Sequence, residues 1–199
     1  MRIFIKWIVI VALLAVYVVA LAAVLHPHVS PEYRAFYISR ISTDYDPSRY
    51  DATPEQGMTF NHPGVPTWVL ATQGFSVRDD WGRWTDEGLG SNAGLTFNQS
   101  FDGELCLDVT ARAVPWMVGQ MVPVTMGGQE QLLQVSNGGP TEYRLQFAHL
   151  AGATELDFMM PKHLPAIIER VPDSADARRL GMNISTLKLI PGQCSAPRK

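Results

Sequence analysis

The residues with the clearest chemical character lie between Gly74 and Asp86, in the stretch GFSVRDDWGRWTD. Trp81 and Trp84 bracket Gly82 and Arg83. Acids stand on both sides, Asp79 and Asp80 before and Asp86 after. Indole faces stack on the C–H faces of sugar rings, while Arg and Asp side chains hydrogen-bond hydroxyls, so such a cluster suits carbohydrate. Trp81, Arg83, Trp84 and Asp86 are therefore candidate glycan-binding residues, with Trp116 joining from the loop-like stretch 114–119. A spacing of three puts Trp81 and Trp84 on opposite faces of a regular strand, one toward the core and one toward the rim.

A second polar stretch, PDSADARRLG over 172–181, leads into the last apolar segment. Asp176 with Arg178 and Arg179 can tie this loop by ion pairs to the region around Asp80 and Asp86, a structural role. Asp173 and Asp176 are near enough in the loop to suggest a structural calcium, on no other ground. No cofactor is expected otherwise. The chain has no HExxH, CxxC or GxSxG and no phosphate-binding glycine loop. His26 and His28 lack a third metal ligand, and no spacing relates Ser76, Asp108 and His149 as a triad. Neither a catalytic residue nor a metal site is expected.

The elements that must position these residues read as strands. Thr67–Ala71 is short and apolar, and Gly94–Asn98 alternates. In 103–113 the residues Leu105, Leu107, Val109 and Ala111 face one way, and Glu104, Cys106, Asp108, Thr110 and Arg112 the other. Segments 120–126, 131–135, 142–147, 154–159 and 182–190 follow. Turn chemistry separates them at Asp102-Gly103, Gly127-Gly128 and Asn137-Gly-Gly-Pro140. Short strands with one apolar face at this spacing predict an all-β fold, an antiparallel β-sandwich of jelly-roll type, over 67–199.

Ahead of it, residues 27–66 read as a Pro-rich connector, with a short helix expected over 31–42. Residues 1–26 read as a transmembrane anchor. Trp7 to Leu25 carry no charge, and 19 residues at 1.5 Å each approach the thickness of a bilayer core. Arg2 and Lys6 precede the run and orient its N-terminus to the cytoplasm. The rival is a cleaved signal peptide with Ala20-Leu-Ala22 as the cleavage motif, but the apolar stretch is long for one. Both readings export the rest, which carries 14 cations against 19 anions, a formal charge of −5. Such a surface excludes no glycan but disfavours nucleic acid and anionic headgroups. In an oxidising compartment Cys106 and Cys194 either form a disulfide or stay as a buried thiol and an incidental one.

The segments GFSVRDDWGRWTD, an alternating strand ending in TARAV, VGQMVPVTMGGQEQ, PTEYRLQF and DSADARRLGMNISTLKL occur in this order across about residues 67–190. Together they resemble a bacterial domain of the WGRW(S/T)D … DxRRLG type, appended to phosphoglycerol transferase-like and glycosyltransferase-like proteins of the cell envelope. The resemblance implies a carbohydrate-binding-module-like jelly roll outside the bacterial inner membrane, in the periplasm, and it supplies no catalytic residue. The expected function is a non-catalytic, membrane-anchored accessory protein of envelope polysaccharide or glycolipid assembly. It would bind glycan or dock an inner-membrane glycosyltransferase or polymer-assembly protein, which would hold the chemistry. The alternative is a purely structural interaction subunit whose tryptophans are core.

Overall fold

The computed structural model describes residues 2–25, 33–40 and 46–195. Two compact units divide the chain, residues 1–30 and 31–199. The first contains helix α1 (Arg2–Leu25). Its side chains are described at Trp7 and from Ile10 to Ala22, and the large ones among them are exposed. Among the described residues no helix is long and apolar enough to cross a membrane, so the expected transmembrane helix is not supported by the structure.

In the second unit, the expected 31–42 helix is represented by a π-helical turn, Arg34–Ile38; residues 31, 32, 41 and 42 lie outside the described residues. The strands are β1 (Arg49–Tyr50), β2 (Met58–Thr59), β3 (Val65–Pro66), β4 (Val69–Gln73), β5 (Phe75–Arg78), β6 (Arg83–Asp86), β7 (Asn92–Ala113), β8 (Met121–Met126), β9 (Gln129–Gln134), β10 (Thr141–Met159) and β11 (Leu180–Pro191). The strands of 49–66 and the buried Met58, Phe60 and Val65 bring the stretch read as connector into the domain.

The fold is an antiparallel β-sandwich; the only parallel pair among the described strands is β1 with β3. It is built on two long bent strands. The first half of β7 pairs with β4 and with the second half of β10, whose other edge carries the β8–β9 hairpin. The second half of β7 pairs with the first half of β10 and with β11, which continues to β6, β5 and, further along, β2. Each long strand thus serves both sheets.

The Asp102-Gly103 pair, expected to reverse the chain, instead bends it. Gly103 has φ +79° and Gly152 on β10 has φ +66°. The Gly152 N–H donates to Asp102 Oδ1 at 2.7 Å, and register shifts cluster between Phe147 and Glu155. Glycines that accept positive φ let both strands turn the same corner as paired neighbours, so the segments expected as four strands are two. Between the sheets lie Phe60, Phe75, Phe147, Phe158, Leu95, Leu107 and Met182, all fully buried. Each contributes about 1.5–3 kcal/mol by leaving water. Leu105, Leu107, Val109 and Ala111 point into this core, as their alternation predicts.

Candidate functional site

The candidate site is built from the loop between β5 and β6. Asp79 N–H donates to the Gly82 carbonyl at 2.9 Å and closes a tight turn. The Asp79 side chain locks it: Oδ1 accepts the Trp81 N–H at 2.9 Å and the Gly82 N–H at 2.8 Å. This is the local side-chain-to-backbone bonding for which Asp is favoured in turns. Gly82 is required by close approach, because a Cβ there would collide with the Ile184 carbonyl oxygen of β11.

The second Asp79 oxygen points across the sheet. Oδ2 accepts from Trp84 Nε1 at 3.0 Å, from Asn183 Nδ2 at 2.8 Å and, at a longer 3.4 Å, from Arg112 Nη2. Trp84, Asn183 and Arg112 are register neighbours on β6, β11 and β7. The Arg112 guanidinium lies 4.8 Å from the Trp81 ring centroid and 5.4 Å from that of Trp84. Both are within cation–π range. Burial pushes the Asp79 carboxyl upward, but the Gly82 and Trp81 N–H groups, the Trp84 indole and the Arg112 charge outweigh it and hold the group below its ordinary value.

The two tryptophans therefore meet on one guanidinium instead of dividing between faces. The strand argument did not apply, because Trp81 sits on the turn and only Trp84 on β6. Trp84 packs against the core as well. Arg83 and Asp86 point inward. Arg83 donates to the Ser76 carbonyl at 3.0 Å, to the Phe75 carbonyl and to Thr72 Oγ1, stapling β5 and β4. Asp86 accepts N–H groups from Gly88 and Arg179. Trp116, in a 3₁₀ turn (Pro115–Met117), packs on the core, and its buried Nε1 has no partner among the described residues. None of the cluster's hydrogen bonds or ring contacts involves it.

The 172–181 loop is tied down as a corner. Arg178 grips Asp176, its Nη2 2.6 Å from Oδ2, which holds the Asp176 carboxyl below its ordinary value; both Asp176 oxygens are thereby engaged. Arg179 pairs with Glu87 at 3.5 Å. Asp80, expected in this network, is exposed and forms no ion pair among the described residues; Glu87 takes its place. Cys106 and Cys194 are joined in a disulfide with a Cα–Cα distance of 4.9 Å. Among the described residues no group of three metal-ligating side chains forms. Asp79 and Arg112 are the site residues that the sequence reading did not select. The Asp-x-x-Gly spacing of a side-chain-locked turn was the available signal for the first.

Residues 42–191 match the family described as Domain of unknown function (DUF7024). Among curated relatives the chain is similar to phosphoglycerol transferase I of Citrobacter koseri and of Escherichia fergusonii. Each is 27% identical over 131 residues, covering 66% of this chain and 17% of the relative. The chain thus spans about a sixth of the length of these relatives. Among solved structures it is similar to a mutant of a family 29 carbohydrate binding module, with TM-score 0.42 and 16% identity over 67% of this chain and 88% of that one. It is also similar to the CBM36-1 domain of a multidomain xylanase from the hindgut metagenome of Trinervitermes trinervoides, with TM-score 0.37 and 16% identity over 63% and 88%.

Proposed function

We propose, from the premise that this chain belongs to the DUF7024 family, that its sandwich is a non-catalytic glycan-binding module of bacterial envelope assembly. It works without a cofactor, beside an inner-membrane transferase or polymer-assembly protein. The observation that carries this reading is the Trp81–Arg112–Trp84 stack, fixed by Asp79 on the sheet that β6, β11 and β7 share. It offers a held aromatic surface beside charged hydrogen-bonding groups, the combination that sugar rings require. Similarity to one segment of phosphoglycerol transferase I favours a phosphoglycerol- or glycan-handling context.

The periplasmic location and single-pass anchoring rest on the sequence alone: the charge-free run from Trp7 to Leu25, with Arg2 and Lys6 ahead of it. A protein-docking subunit is the second reading, favoured by Arg83 and Asp86 being buried and already bonded within the domain.

The test is a glycan array of envelope saccharides probed with the full chain in mild detergent, alongside a pull-down from the same membranes. Saccharide binding that Trp81→Ala abolishes without unfolding the protein supports the glycan reading. No saccharide binding, with a stoichiometric protein partner retained by Trp81→Ala, overturns it in favour of docking.

A further inference from the structure

We propose that Arg112 recognises an anionic group on the ligand, a carboxylate or a phosphate; this rests on reading the Trp81–Trp84 face as the glycan site. A guanidinium carries five N–H donors. The only acceptor within hydrogen-bonding reach of Arg112 among the described residues is Asp79 Oδ2, at 3.4 Å. Charge-assisted N–H···O bonds ordinarily close to about 2.7–2.9 Å. Asp79 cannot close this one, because its oxygens already accept the Trp81 and Gly82 N–H groups, the Trp84 indole and the Asn183 amide at 2.8–3.0 Å. Arg112 Nε is buried and has no partner among the described residues.

The group is nonetheless held. Indoles lie near it at 4.8 and 5.4 Å, and its Cα is in register with the fully buried Asn183. Its side chain remains 35% exposed. A cation that is fixed in place, short of acceptors and partly exposed presents the planar donor group that carboxylate and phosphate oxygens match. Asp79 is the anion it pairs with, and Asp80 follows Asp79 in the turn. The first has its charge spread over four donors besides Arg112, and the second is exposed and screened. The ligand class is thus a sugar bearing an acid or a phosphodiester-type substituent, with its ring on Trp81.

The full chain in mild detergent is titrated calorimetrically with methyl glucoside, glucuronate, glucose 6-phosphate, glycerol 1-phosphate and inorganic phosphate. At least one anionic sugar is expected to bind about tenfold or more tighter than the neutral one, with a preference that salt weakens. The carboxylate and phosphate arms distinguish the two sources. Arg112→Gln should erase the preference, and Arg112→Lys, which keeps charge but not the planar donor group, should reduce it. If Arg112→Gln fails to fold, the Lys variant decides. Equal binding of neutral and anionic sugars, or a preference that survives in both variants, overturns the role of Arg112 while leaving a Trp81-dependent glycan site standing. No binding of any probe overturns both.

Discussion

The Arg112 guanidinium lies 4.8 Å from the centre of the Trp81 indole, across a sheet from the turn that carries it. Trp81 and Trp84 share this cation but not a structural role, since only Trp84 also packs on the core and donates its indole N–H to Asp79. Trp84→Ala should cost about 3 kcal/mol or more of stability in urea unfolding, by cavity formation and the loss of one hydrogen bond to Asp79. Trp81→Ala should cost about 1 kcal/mol, the range of one exposed cation–π contact. Equal losses would place both rings in the core and remove the surface on which the glycan reading depends.

The Asp79–Gly82 turn is the second point of weakness. Gly82→Ala sets a methyl group against the Ile184 carbonyl, so β6 and β11 must separate or the turn must open. A loss of about 3 kcal/mol or more is expected, as for overpacking against backbone that cannot yield. Asp80→Ala, next door but exposed, should stay within about 0.5 kcal/mol. Melting temperatures of the two variants check the contrast, and a Gly82→Ala protein as stable as the parent would refute the close approach.

How much of this was legible in the sequence follows from the range of the interactions. The inward set Leu105, Leu107, Val109 and Ala111 is a local period of two and was readable. The Asp102-Gly103 pair carries a turn signature, yet whether such a pair reverses or merely bends the chain depends on Gly152, some fifty residues away. Arg112 appeared only as one outward residue of an alternating strand. Its place beside Trp84 is set by β11 lying between β6 and β7, a pairing order that no local pattern encodes. Asp79 was noted only as one of two adjacent acids.

Acid should weaken the tie between the β1–β3 region and β5. Asp46 Oδ1 accepts the Ser48 N–H at 2.9 Å, and Oδ2 accepts the Gly64 N–H at 2.9 Å and meets Arg78 at 3.0 Å. Hydrogen bonds from Ser48, with Gly64 and the Arg78 charge, hold its carboxyl down at about 2, against 3.8 ordinarily. A carboxyl depressed in the folded state stabilises the fold above its unfolded value and loses that contribution as pH falls through the folded one. The contribution, about 1–2 kcal/mol after solvent screening, should be nearly intact above about pH 4, mostly lost by about pH 2 and gone near pH 1. Asp46→Asn should therefore be less stable than the parent at pH 6, with the gap much reduced at pH 2 and closed near pH 1. A stability gap that persists unchanged at pH 2 would mean that shape, not charge, is what Asp46 supplies.

The Cys106–Cys194 bridge should matter for stability and not for ligand binding. Its half-cystines are 88 residues apart, and the bridge joins β7 to the segment that follows β11. That segment is also tied down by hydrogen bonds: the Gly192 N–H donates to the Glu104 carbonyl, and the Gly192 carbonyl accepts from Gln146 Nε2. The Cys194 N–H donates to Gln146 Oε1, and the Ser195 carbonyl accepts from Arg144. Closing so long a loop restricts the unfolded chain by about 4.6 kcal/mol in the entropy model, an upper figure that bridges often fall short of. The native face around Arg112 lies further along β7 and shares no residue with the bridge. Cys106→Ser with Cys194→Ser, or reduction, should thus lower the unfolding free energy by about 3–4 kcal/mol. Hydrogen exchange should quicken first at 192–195, and saccharide affinity at temperatures where the protein stays folded should be unchanged. A loss of affinity in the folded, reduced protein would show that the bridge shapes the binding face and does more than constrain the unfolded chain.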